Sequence, residues 1–500
     1  MTTHSNPLDS LPFLQTPSYL SLPKYFYQQV HPQPVPDPTL IHFNDTLAHD
    51  LQIPADFQHS KDALDLFSGQ ATPENGTPIA LAYAGHQFGH FVPQLGDGRA
   101  VLLGECHDKH NKAWDVQLKG SGRTAFSRQG DGLCPLGPAI REYLVSEAMH
   151  ALGVPTTRSL ALVSTGDTVL RQQQEPGGIV TRVAASHLRI GTFEYAAAHL
   201  DLNALQQLCD YAIARHYPES APSLNPSLSL LENVVLSQAR LIAHWLSLGF
   251  VHGVMNTDNT AISGETIDYG PCAFMEDYQP AMVFSSIDTI ERYAYNNQPP
   301  IAHWNLSRLA SCLLPLIDPD IEKAKGLATE VLDRFMSTFQ DHYCQFMGAK
   351  LGLEQATLED QTLIEGFLDL LHHTQSDFTL SFYYLDSALD PQSDLCEWSA
   401  FVSDSPQRDR WLRTWRDRLG KEKRPSTYIK AFMKTINPAI IPRNHRIEEV
   451  IREVYASEDM TLFHRLLSAI TSPFDIQDGT QDLMSPALPD QRVFKTFCGT

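Results

Sequence analysis

His252-Gly253-Val254-Met255-Asn256-Thr257-Asp258-Asn259, followed after a short segment by Asp268-Tyr269-Gly270, is the stretch that decides the fold. Asp258 and Asn259 set a proton acceptor beside a hard oxygen ligand, and Asp268 supplies a second carboxylate. Between them Ser263-Gly264-Glu265 reads as a hairpin turn, so Asn259 and Asp268 are predicted to meet and share a cation such as Mg²⁺. Position 254 is a valine, which accepts no proton; Asp258 is the candidate base. Taken alone, Asp258 and Asn259 fit a solvated loop or a turn cap equally well. His252 and the Asp-Tyr-Gly triplet in register favour the metal loop.

The 500 residues allow about two to four domain-sized units. A hydrophobic content of 42% with 19% charged residues suits a globular enzyme. A net charge of -21 argues against a general nucleic-acid or anionic-membrane binder, so any phosphate site has to be a local basic pocket. The first thirty residues hold one Lys, no Arg and several prolines, and no run approaches the ~20 apolar residues of a membrane span. Eight cysteines without a Cys-x-x-Cys pair disfavour a zinc site and fit a cytoplasmic location.

Residues 1–75 are expected to form an arm on the folded body, since Pro32, Pro34, Pro36 and Pro38 favour extended chain over helix or sheet. Residues 76–190 form a strand-rich N-lobe. Strands are predicted at 100–105 and 114–119; Trp114, Val116 and Leu118 share the core face, and Lys119 faces a cleft. A helix is predicted at 138–152, stopped by Gly153 and Pro155, and strands at 157–164 and 168–171 around Thr165-Gly166-Asp167, and at 178–185. Residues 191–435 read as a helical C-lobe, with helices at 229–249, 321–350 and 359–373, and residues 436–500 as a C-terminal extension and tail. The fold class is therefore α+β, two-lobed, with its cleft between the lobes.

In this order the parts resemble a protein kinase, whose catalytic loop reads His-Arg-Asp-x-x-x-x-Asn and whose metal triplet is Asp-Phe-Gly. Gly96-Asp97-Gly98-Arg99 precedes a strand and can approach phosphates through its backbone, although Gly-x-Gly alone is usually a turn. Lys119 resembles the kinase strand lysine and Glu142 its ion-pair partner. Arg182 and Arg189 lie where the lobes join and can clamp phosphate oxygens, or form interface salt bridges.

Gln94-Leu95-Gly96-Asp97-Gly98-Arg99, Gln117-Leu118-Lys119-Gly120-Ser121-Gly122-Arg123-Thr124, Ser127-Arg128-Gln129-Gly130-Asp131-Gly132 and the His252–Asn259 loop together resemble the selenoprotein O family of protein adenylyltransferases. The resemblance covers most of residues 80–280. It implies a kinase-like fold that binds ATP in reversed orientation and transfers AMP to Ser, Thr or Tyr hydroxyls of proteins. It further implies that Gly96, Gly98, Arg99, Lys119, Asp131, Gly132, Arg182, Arg189 and Asp268 bind nucleotide. Asn259 and Asp268 would bind Mg²⁺ or Mn²⁺, Asp258 would be the catalytic base, and Glu142 would pair with Lys119. UTP is a second nucleotide to consider. A conventional kinase using Asp258, or a non-catalytic nucleotide-binding pseudokinase, are the alternatives. The expected partners are ATP and protein substrates, with no nucleic acid and no membrane.

Three other signals are weighed. His86 and His90 lie among glycines that disfavour a helix, so ordinary hydrogen bonding is expected of them. Residues 408–424 are basic but carry Trp411, Trp415 and Leu419 at helical spacing, which predicts an amphipathic helix with its tryptophans packed inward. Cys498, near the end, is either a free tail thiol or one half of a reversible disulfide, with Cys272 as the candidate partner.

Overall fold

The N-terminal half is built on a seven-stranded, wholly antiparallel sheet. The order is Tyr27–Gln29, Ile79–Leu81, Ala100–His107, Ala113–Lys119, Gln174–Ala184, Arg158–Leu170 and Thr39–Phe43. The structure is a computed structural model, which describes residue 8 and residues 11–73, 76–390 and 396–496.

The sheet is buried on both faces, and strand alternation sorts its side chains between two cores. Val116 and Leu118, with Trp114 at the margin, join a core completed by Val35, Phe43, Leu47, Leu51 and Phe67. On the opposite face Gln117 bonds Asp97 and Lys119 reaches Glu142 of the helix Leu136–Ala151, which packs on the strands Arg158–Leu170 and Gln174–Ala184. The N-terminal arm thus contributes the outer layer. It also supplies both edge strands, Tyr27–Gln29 and Thr39–Phe43, while the proline-spaced stretch between them stays outside the ladder. Proline cannot donate to a ladder, which explains that division.

Two expectations are corrected here. The strands expected at 157–164 and 168–171 are one strand, Arg158–Leu170, because Thr165-Gly166-Asp167 forms an irregularity in the pairing with Gln174–Ala184 and not a reversal. Gly166 has φ +72, and a side chain there would strike Asp37, so the glycine serves a bulge against the arm. The helix expected at 321–350 is interrupted at Asp333 into Ile321–Leu332 and Arg334–Lys350.

The C-terminal half is helical. Its central helix, Pro226–Ser247, packs against Gln298–Ile317 and Arg334–Lys350. The helix Pro406–Gly420 buries Trp411, Trp415 and Leu419. The two indole nitrogens donate to the carbonyls of Leu363 and Leu351, at 2.9 and 2.8 Å. Its basic face is therefore the solvated side of a packed helix. Among the described residues no helix is long and apolar enough to cross a membrane.

Candidate active site

Lys119 ends its strand where the sheet meets the helical half, and its ammonium lies 2.5 Å from Glu142 Oε2 on the helix Leu136–Ala151. Glu142 Oε1 accepts from Arg182 Nε, so one carboxylate holds both cations. Burial opposes its ionisation, but Arg182 and Lys119 outweigh this and hold Glu142 below the ordinary carboxylate range.

Asp268 closes the chain of ion pairs. Its Oδ1 accepts from Arg182 and lies 3.6 Å from Lys119, and its Oδ2 accepts from Arg189 at 2.6 Å. Asp268 has φ +65, a left-handed conformation that Asp tolerates better than most residues. Burial again opposes the charge, and Arg182, Arg189 and Lys119 again prevail, keeping Asp268 well below its usual range. Both arginines are salt-bridged, the second of the two roles expected of them; Arg189 Nε is in addition buried with no hydrogen-bond partner, and its guanidinium stacks 4.8 Å over the Tyr83 ring.

The loop of residues 252–259 is fixed from behind. His252 stacks on Trp245 and its Nε2 bonds the Ile267 carbonyl at 2.8 Å, which ties the loop to the residue before Asp268. Asp258 and Asn259 lie in a short turn, Thr257–Asn259. Arg189 Nη1 donates to the Asp258 carbonyl at 2.6 Å. Burial pushes the Asp258 carboxyl up to about 6, although Gln87 and Arg189 pull it the other way. Such a group is ionised at neutral pH yet basic enough to take a proton. Asn259 spends its amide nitrogen on the Val254 carbonyl at 3.0 Å, so that bond does not engage Oδ1, the atom expected to meet a cation.

The segment joining Asn259 to Asp268 differs from expectation. A turn does fall at Ala261–Gly264, but its limbs do not pair with each other. Ala261 bridges to Arg189 and Thr266 to Thr156. The two ends are therefore placed by the sheet half, not by a local ladder.

The glycine segments are laced together. Thr124 Oγ1 donates to the Asp97 carbonyl at 2.7 Å and Ser127 to that of Gly98. A side chain on Gly96, at φ +130, would strike Phe126 at 2.4 Å. The Arg99 carbonyl accepts from Gly120 N at 2.7 Å. Asp131 and Gly132 stand apart from the ion-pair chain. Asp131 pairs with Arg171 at 2.7 Å, and Gly132, at φ +76, packs on Gly122.

Sequence reading missed Asp97, Gln87 and Glu194. Asp97 is buried, accepts from Leu81 N and Gln117 Nε2, and lies 4.0 Å from Arg189. His86, set aside as a ligand, pairs with Glu194 at 2.5 Å within a hairpin of Gly85–Gln87 and His90–Val92. The Phe88-Gly89 turn was the available signal; its packing on the catalytic loop was not.

A strand lysine paired to a helix glutamate, a carboxylate and amide in one loop, and a second carboxylate gripped by buried arginines lie together where the sheet half meets the helical half, the order of parts expected of a kinase-like nucleotide site. The family described as Protein adenylyltransferase SelO matches residues 10–471. Protein nucleotidyltransferase YdiU of Rhodopseudomonas palustris is 50% identical over 484 residues, which are 97% of this chain and 98% of that protein. The protein of the same name from Agrobacterium fabrum is 51% identical, covering 97% of this chain and 99% of its own. The chain belongs to the SelO family of protein adenylyltransferases. A solved structure, ROP2 from Toxoplasma gondii, described as having a protein-kinase fold and no enzymatic activity, aligns over 69% of this chain and 87% of its own. At 11% identity and a TM-score of 0.21 that likeness is too slight to bear on fold or activity.

Proposed function

We propose that the protein transfers AMP from ATP to Ser, Thr or Tyr hydroxyls of other proteins in the cytoplasm, releasing pyrophosphate. The observation that carries this reading is the convergence of two buried arginines, Arg182 and Arg189, on Asp268 beside the carboxylate of Asp258. The Asp258 carboxylate takes the proton as the hydroxyl oxygen bonds to the α-phosphorus, and the bond from that phosphorus to the β-phosphate oxygen breaks. Arg182, Arg189 and Lys119 hold the charge that collects on the departing pyrophosphate. Gly96, Gly98 and Arg99 would meet the nucleotide from the strand side, and Asp131 and Gly132 from the loop laced onto Gly98.

The oxygens of Asn259 and Asp268 suit a hard cation, and Asp268 is held ionised. Mg²⁺ or Mn²⁺ bound there would neutralise phosphate charge. Asp268 would exchange part of its arginine contacts for the metal, freeing guanidinium donors for the phosphates.

Incubation with metal and ATP labelled at the α position, beside γ-labelled ATP and α-labelled UTP, tests the reading. The α-label is expected on protein and the γ-label is not, and Asp258→Ala abolishes incorporation. Transfer of the γ-label would mean a conventional kinase, and transfer of neither a pseudokinase; stronger α-labelling from UTP would change the donor.

A further inference from the structure

The hairpin formed by Gly85–Gln87 and His90–Val92 belongs to no larger sheet, and its turn, Phe88 at φ +51 and Gly89 at φ +85, has the two left-handed residues of a tight hairpin reversal. It is seated on the catalytic loop. His86 N donates to Thr257 Oγ1 at 2.7 Å, and Phe88 N to Asn256 Oδ1 at 3.0 Å. Tyr293 Oη donates to the same Asn256 oxygen at 2.5 Å. Glu194 braces both partners, accepting from Thr257 Oγ1 and pairing with His86, each at 2.5 Å.

These anchors bring two hairpin residues against the base. Gln87 Nε2 donates to Asp258 Oδ2 at 3.2 Å, whereas Asp258 Oδ1 is buried with no hydrogen-bond partner. A side chain built on Gly85 would lie 2.5 Å from that free oxygen, so only a glycine lets the strand come this close. The two carboxylate oxygens therefore differ: one is tethered by Gln87, and the other lies close to Gly85 with no hydrogen bond that an incoming hydroxyl would have to break.

We propose that Gln87 is a positioning residue for the transfer reaction, holding Oδ2 so that Oδ1 is the atom that takes the substrate hydroxyl proton, with Gly85 keeping the space beside it. This rests on the reading of Asp258 as the base. As the hydroxyl oxygen bonds to the α-phosphorus its proton passes to Oδ1, and pyrophosphate leaves with the electron pair of the broken phosphoanhydride bond. The hairpin contributes geometry, not charge.

The test measures kcat and ATP dissociation constants for Gln87→Leu, Gly85→Ala and, as a hairpin control away from the carboxylate, His90→Ala. Whichever phosphate label the unaltered protein incorporates is the one followed. A hydrogen bond to a carboxylate corresponds to about ten-fold or more in rate. Gln87→Leu and Gly85→Ala are expected to lower kcat by about that factor with ATP affinity unchanged, and His90→Ala to leave both alone. Undiminished kcat in Gln87→Leu overturns the proposal, and a rise would make the hairpin an occluding lid instead. Equal loss in His90→Ala, or loss that tracks ATP affinity or folding, also overturns it. The label identity judges the adenylyl-transfer reading separately, since a hairpin effect on γ-label transfer would uphold the positioning role while sinking that reading. Incorporation of neither label overturns both.

Discussion

Arg189 joins Asp268 to the loop of residues 252–259 through a single nitrogen: Nη1 lies 2.6 Å from Asp268 Oδ2 and 2.6 Å from the Asp258 carbonyl oxygen. The carboxylate assigned to metal and the backbone of the assigned base are thereby held by one guanidinium. Removing either end should disturb both.

Asp268→Ala deprives Arg182 and Arg189 of a counter-ion in a buried setting. Uncompensated buried charge typically costs about 3–5 kcal/mol, although Glu142 still holds Arg182, so the chain should fold with a lowered Tm. Metal-dependent nucleotide binding and all transfer should vanish. Calorimetric unfolding and nucleotide titration with and without Mg²⁺ check this, and unchanged activity at matched metal concentration would sink the assignment.

Arg189→Lys keeps the positive charge but loses the planar fork. A lysine cannot span Asp268 and the Asp258 carbonyl while offering a further donor where Nε is now unpartnered. The expected result is ATP binding weakened about ten-fold, in line with the loss of one charge-assisted hydrogen bond. Titration with a non-hydrolysable ATP analogue reads it directly; wild-type affinity would remove Arg189 from the phosphate site.

Cys498 lies outside the described residues, but Thr496 is buried and its hydroxyl donates to the Pro271 carbonyl at 2.6 Å. Pro271 is the neighbour of Cys272. Burial pushes the Cys272 thiol up to about 12, so it is a poor nucleophile at neutral pH. A Cys272–Cys498 disulfide is therefore expected to form slowly under oxidant and to reverse with dithiothreitol. Non-reducing peptide maps over a time course decide the matter, with Cys498 recovered only as a free thiol counting against it.

Lys350, at the end of Arg334–Lys350, is buried with its ammonium 4.4 Å from the Phe382 ring centroid, and burial alone brings it down from 10.5 to about 7. Between about 7 and 10.5 the unfolded chain keeps a proton that the folded chain has released, so this group makes stability rise with pH across that window. Below about 7 the folded protein carries the full cost of a buried cation. Lys350→Met should raise stability at neutral and acid pH and flatten the slope. Urea unfolding at several pH values measures both, and a stability difference independent of pH would contradict the account.

Much of the molecule was legible in the chain because its signals are local. Strict alternation in Trp114–Lys119 put Lys119 on the face opposite Trp114, Val116 and Leu118, and the three residues do join the outer core. Helical spacing in 408–424 announced buried tryptophans, and the glycines around His86 ruled out a helix. The order of motifs sufficed to infer a strand-rich half followed by a helical one, and the family.

What the chain alone decided, then, is which chemical groups exist and which backbone periods carry them, since hydrophobic alternation and turn chemistry act over a few residues. The tertiary fold decided what those groups touch. Only it turned Arg158–Leu170 into one bulged strand, sent Ala261 and Thr266 to partners in the sheet half, and gave Asp268 two arginines. It also set Gln87 against Asp258, separated from it by 171 positions. Contacts of that length depend on how whole layers pack, and no periodicity within a segment records them.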